Sequence, residues 1–131
     1  INLKAFICIK KNFLFFFLKG TVTNDIIRKP RCPPIPAYEN CIECQTLQDL
    51  EAIKRNQNAL HMESLTIWER ILGRLNPEIP NPVIFRGAVF ADDARFDRCI
   101  ELWFHALNLK QLNQVTVTKD LLRFAQVCFR F

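Results

Sequence analysis

Glycine is nearly missing from this chain: there are three in 131 residues, at positions 20, 73 and 87. A phosphate-cradling turn needs clustered glycines, so P-loop and dinucleotide-binding readings are excluded. Histidine is scarcer still, with only His61 and His105, and neither has a second ligand or a base at helical spacing. Cys99 and His105 lie six apart, on different faces of a helix, so they do not form a nucleophile–base pair in sequence. Cys99 is read instead as a small hydrophobe. Asp92-Asp93 falls in a turn between helices, where such a pair is a solvated cap rather than an acid/base or cation site. No catalytic, cofactor-binding or metal-binding residue is assigned, and no enzyme is expected.

Long apolar runs are also lacking. The strongest, residues 13–18, is closely bracketed by Lys10, Lys11 and Lys19. A membrane-spanning helix needs about 20 mostly apolar residues, so no membrane partner is expected. A signal peptide would start at Met and end in a small-residue cleavage site. Gly20-Thr-Val-Thr is a poor match for such a site, and Met is absent from the start. Residues 1–28 therefore form a leader of doubtful status: a foreign leader, a terminal strand or helix of a preceding domain, or a targeting segment. The final residues fall within an apolar periodic pattern, so both ends are expected to be cut from a longer chain.

The basic excess is local. Residues 1–35 hold seven Lys or Arg and one acid, whereas residues 36–131 hold 11 basic and 12 acidic groups. A nucleic-acid-binding domain carries its basic stripe on the folded part, so no nucleic-acid partner is expected. The six cysteines at 8, 32, 41, 44, 99 and 128 lack the layout of a small secreted disulfide framework, and free thiols are expected. Cys41-Ile-Glu-Cys44 has zinc spacing, but a structural site needs four ligands and no second pair follows.

What the sequence does contain is helical. Residues 29–36, KPRCPPIP, hold four prolines in eight residues. This composition favours an extended segment, and residues 29–45 are read as a Pro-rich linker. The region 46–131 is read as helical, with helices at about 47–55, 58–72, 82–91, 96–110 and 119–129. Thr46 to Asp49 has the form of a capping box. Gly73 reads as a helix stop and Pro82 as a helix start. The expected fold is all-α, with no strand pattern after residue 36.

An all-α chain with paired helices calls for a search for repeats. Counting from Gly87, Phe90 is three residues on, Cys99 twelve, Trp103 sixteen and Ala106 nineteen. This is the small–aromatic–small–aromatic–small spacing of a tetratricopeptide (TPR) unit. Ser64 precedes Ala106 by 42 residues, and Ala125 follows Gly87 by 38, so the neighbouring units have longer connections. The chain thus reads as antiparallel helix pairs of a fragmentary TPR-like solenoid after a disordered or irregular N-terminal segment. Its packing residues are Ser64, Gly87, Phe90, Cys99, Trp103, Ala106 and Ala125. By repeat position, Asn81, Ile84, Ala88, Ala91 and Asp92 line the concave face, a candidate binding surface.

The wording is more specific than the spacing. ALHMESLTIWERILG (59–73), PVIFRGAVFADDARFDRCIELWFHALNL (82–109) and KDLLRFAQV (119–127) resemble the Fem-1 family, most closely its homologue B branch. KPRCPPIPAYENCIECQTLQDLEAI (29–53) also looks like that branch, so the resemblance covers roughly residues 29–127. The chain departs from the family at Trp68, where Arg is usual, and at Phe85 and Phe90, where Tyr is usual. Residues 128–131 leave the pattern.

The resemblance implies the TPR part of a substrate-recognition subunit of a cullin-2 RING ubiquitin ligase. Such receptors combine ankyrin repeats that recognise C-terminal degrons with a box that binds elongin B/C and cullin-2. Degron-bearing substrates and the elongin–cullin complex would be partners of parts not present here, in the cytoplasm or nucleus. The alternative is a stand-alone TPR adaptor reading a carboxylate-ended peptide or a partner helix. It needs basic and amide residues on the helix A face, where only Asn81 and Arg86 stand out.

Overall fold

The computed structural model describes residues 32–129; the reading of residues 1–28 as a leader lies outside them. A 3-10 turn, Pro36–Tyr38, precedes five α-helices. They are α1 Leu47–Ile53, α2 Gln57–Leu72, α3 Pro80–Asp92, α4 Phe96–Leu112 and α5 Thr118–Cys128. No strand occurs among the described residues, and the all-α expectation holds.

Local chemistry sets the helix ends. Thr46 Oγ1 accepts from the Asp49 amide at 3.1 Å, while Asp49 Oδ2 accepts from the Thr46 amide at 3.1 Å. This reciprocal capping box satisfies two donors that the first turn of α1 would otherwise leave free. Asn56 caps α2 through a 3.1 Å bond from the Ala59 amide. Gly73 ends α2 at φ 81°, a conformation that costs glycine little. Pro80 rather than Pro82 takes the first turn of α3, where its missing amide proton leaves no helical bond unmade. Between α3 and α4 the chain reverses through Ala94 at φ 58°, held by a 2.8 Å bond from the Arg95 amide to the Phe90 carbonyl. That bond lets α4 fold straight back along α3.

Among the described residues these two helices pack against each other most extensively, and the core is built around their seam. Val83 and Phe90 of α3 are buried with Cys99, Leu102 and Ala106 of α4, and Met62 and Leu65 of α2 complete the cluster. Ala37 and Tyr38 join it from the 3-10 turn. Residues 36–44, which the sequence assigns to a linker, lie against the helices, with Tyr38 fully buried. Burying an aromatic side chain removes 150–250 Å² from water, enough to hold a short extended segment in place.

Candidate functional site

The seam between α3 and α4 rests on one close approach. A β-carbon at Gly87 would overlap Cδ1 and Nε1 of Trp103, so the indole occupies the space a side chain would take. The same indole donates from Nε1 to the Ile84 carbonyl at 2.9 Å. Its polar edge therefore has a partner where its ring is packed. Cys99 and Ala106 are fully buried on the α4 side. Burial pushes the Cys99 thiol up to about 11, with nearby Cys128 adding to the shift. Ser64 is buried in α2 and donates to the Leu60 carbonyl at 2.7 Å. Ala125, on α5, is half-buried.

Phe90 is buried beneath three guanidinium groups. Those of Arg86, Arg98 and Arg95 stand 4.7, 5.4 and 5.5 Å from its ring centroid. A ring face attracts cations, so this position stabilises charge that the fold has partly desolvated. Burial is the main cause holding the Arg86 guanidinium below its usual pKa, with Arg98 adding to it, while Asp93 and Glu39 oppose the shift. Arg86 donates to Asn58 Oδ1 at 3.1 Å.

The five residues placed on the concave face by repeat position do not share one environment. Asn81 and Asp92 are exposed near the two ends of α3, and Ile84, Ala88 and Ala91 between them are half-buried. Ile84 and Ala91 pack against the core. Ile84 also borders a small crevice with Trp103, Leu107, Asp120 and Arg123, facing α5.

The strongest polar chemistry lies elsewhere, where residues 36–44 meet α2 and α4. Glu63, almost fully buried, accepts from the Cys44 amide at 2.8 Å and stands 3.4 Å from the Cys41 thiol. The thiol is pushed up to about 12, first by burial and then by the Glu63 carboxylate. A protonated, poorly ionising thiol is a weak metal ligand and a slow nucleophile. Glu43 forms a two-pronged ion pair with Arg70, at 2.5 and 2.8 Å. Arg98, also buried, donates to the Ala37 carbonyl at 2.9 Å, pairs with Glu101 and lies 3.3 Å from Glu39.

A further buried group joins α2 to α4. His105 Nε2 lies 2.9 Å from Glu69 Oε2, and the Tyr38 ring meets the imidazole edge-on at 5.0 Å. Burial acts to raise the Glu69 pKa, but His105, Tyr38 and the charge of Arg74 outweigh it, and the carboxyl sits below its usual range. Burial, then the Glu69 charge, drives the Tyr38 phenol well above its ordinary value. Tyrosine, carboxylate and imidazole together resemble an acid/base set. The side chains of Glu69 and His105 are only 4% and 12% exposed, and their contact ties α2 to α4. Among the described residues no group of three His, Cys, Asp or Glu is placed to hold a metal.

Sequence reasoning missed Glu63, Glu69, Arg98 and the His105 pair. The partners Cys44, His105 and Ala37 lie 19 to 61 residues away, so local spacing carries no trace of these contacts. One available signal was the α2 stretch 62–69, where two glutamates lie within a run of residues destined for the core.

No family model matches the chain. It is 40% identical over 99 residues to a Drosophila melanogaster protein, fem-1 homolog CG6966, covering 72% of this chain and 15% of that protein. It is 36% identical over 104 residues to fem-1 homolog C of Danio rerio, covering 76% and 17%. To human fem-1 homolog A it is 39% identical over 90 residues, covering 68% and 14%. The chain thus spans about one sixth of the length of these relatives. Identity at this level over 68 to 76% of the chain shows that it belongs to the Fem-1 family.

Proposed function

We propose that this stretch is the scaffold part of a substrate-recognition subunit of a cullin-2 RING ubiquitin ligase that recognises C-terminal degrons. The assignment to the homologue B branch belongs to this proposal. The observation that supports it is the family relationship, joined to a helical array whose polar groups are spent on holding its own shape. The segment positions recognition elements; it does not catalyse. Ubiquitin transfer belongs to the partners, and elongin B/C and cullin-2 are engaged by parts of a full-length protein beyond these residues. Among the described residues no helix is long and apolar enough to cross a membrane, and the proposed setting is the cytoplasm or nucleus.

The rival adaptor reading has less support. Arg86, one of its two candidate peptide-binding residues, is half-buried, bonded to Asn58 and laid over Phe90. The test uses a full-length protein carrying this stretch. Affinity purification is expected to recover cullin-2 and elongin B/C, and depletion should raise the level of reporters ending in a degron. Recovery of neither partner, with reporter levels unchanged, would sink the ligase reading.

A further inference from the structure

Spacing in the sequence pairs Cys41 with Cys44, but the fold gives Cys41 a different neighbour. The chain reverses over residues 35–41. Tyr38 and Asn40 donate their amides to the Ile35 carbonyl at 3.0 and 3.1 Å, and the Cys41 amide donates to the Tyr38 carbonyl at 3.1 Å. The two arms of this reversal line one open cavity of about 390 Å³, with Cys32 and Pro34 on the first arm and Cys41 and Glu43 on the second. Cys44 instead presents its backbone amide to Glu63 Oε1 at 2.8 Å.

The two thiols on the cavity differ in a way that sets an order between them. Cys32 is exposed, whereas Cys41 is half-buried and its thiol stands 3.4 Å from Glu63 Oε2. Thiol–disulfide exchange proceeds through attack by a thiolate. Burial and the Glu63 carboxylate keep the Cys41 thiol protonated, so it reacts slowly with anything arriving from solution. Cys32 therefore meets an oxidant first, and Cys41 follows from inside the cavity.

We propose that Cys32 and Cys41 form a thiol–disulfide switch, closed across this cavity by a low-molecular-weight disulfide such as oxidised glutathione. The Cys32 thiolate attacks one sulfur of that disulfide, a mixed disulfide forms on Cys32, and one small thiolate leaves. Cys41 then loses its proton and attacks Cys32 Sγ, forming the Cys32–Cys41 bond and expelling the second small thiolate. Two protein thiols are oxidised by two electrons, and the small disulfide is reduced to two thiols. The link closes residues 32–41 around the turn Pro36–Tyr38, whose Ala37 and Tyr38 belong to the core. It fastens the proline-rich entry to the fold, and it removes the S–H that faces Glu63. Excess reduced glutathione reopens it by the same exchange. The switch is independent of the ligase reading.

The test equilibrates the 131-residue chain with mixtures of oxidised and reduced glutathione, quenches with acid, alkylates the free thiols and maps the peptides. Cleavage after Glu39 and Glu43 puts Cys32, Cys41 and Cys44 on three separate peptides. The Cys32 peptide is expected joined to that of Cys41, about tenfold or more in excess over a Cys41–Cys44 link. Cys44→Ser should leave this link in place, whereas Cys41→Ser should stop the reaction at glutathione carried on Cys32. In denaturing urea the preference should vanish, because the reversal that sets the two thiols on one cavity is lost. Glutathione held on Cys32 of the parent chain, with Cys41 still reduced, overturns the proposal. A dominant Cys41–Cys44 link, a link from Cys32 to Cys8 or Cys128, or an unchanged preference in urea does so as well.

Discussion

The indole of Trp103 sits where the side chain of residue 87 would be, and it donates its N–H to the carbonyl of Ile84, one turn earlier on α3. Glycine at 87 is thus required by a neighbour. Gly87→Ala should destabilise the chain by about 1–3 kcal/mol, because the ring must shift within a close-packed seam. Gly87→Leu should unfold the pair. Adding Trp103→Phe should restore part of the loss in Gly87→Ala by freeing space at Cδ1 and Nε1. Urea denaturation of the three variants checks this; an unchanged midpoint for Gly87→Ala would contradict it.

Tyr38 separates ring burial from hydroxyl bonding. Its ring is fully buried, and its hydroxyl is buried beside the Glu69 carboxylate without a hydrogen bond of ordinary geometry. Tyr38→Phe should therefore change stability by less than about 1 kcal/mol, whereas Tyr38→Ala should cost about 3–5 kcal/mol. Chemical denaturation of both variants distinguishes the two contributions.

The Glu69–His105 pair makes stability depend on acid. The Glu69 pKa is lower in the folded chain than its ordinary 4.5. The unfolded chain therefore binds the proton first, and the stability contribution is fully present above pH 4.5. It is lost as pH falls through the lower folded value. In Glu69→Gln, melting temperature should vary less with pH below 4.5 than in the parent chain. Parallel acid limbs in the two proteins would refute the assignment.

The thiols should differ sharply in reactivity. Cys32 and Cys128 are exposed, Cys41 is raised to about 12 beside Glu63, and Cys99 is buried and raised to about 11. Iodoacetamide at neutral pH should label Cys32 and Cys128 first and Cys99 last among these four, as read by peptide mapping. Glu63→Gln removes the charge that suppresses the Cys41 thiolate and should speed labelling of Cys41 relative to Cys99.

Helix ends and seam residues were legible in the sequence because their causes are local. Thr46 and Asp49 cap α1 from three residues apart, Gly73 closes α2, and Gly87, Cys99, Trp103 and Ala106 follow a repeat spacing. The sequence reading starts α3 at Pro82, but Pro80 is equally compatible with a first helical turn, and the structure starts the helix there. The concave face was placed by position in the repeat. Its half-buried members Ile84, Ala88 and Ala91 owe that burial to neighbours that repeat position does not specify.

What the sequence determined by itself is the set of helices, their stops and the small residues that admit large rings. All of these depend on residues within a turn or a repeat of one another. Only the tertiary structure decided where the buried charges go. Glu63 meets Cys41 and Cys44, Glu69 meets His105, and Arg98 meets the Ala37 carbonyl. A charge can be buried only when a partner is brought to it, and these partners arrive from other segments of the chain. The same reason explains why residues 36–44, read from sequence as part of a linker, lie against two helices.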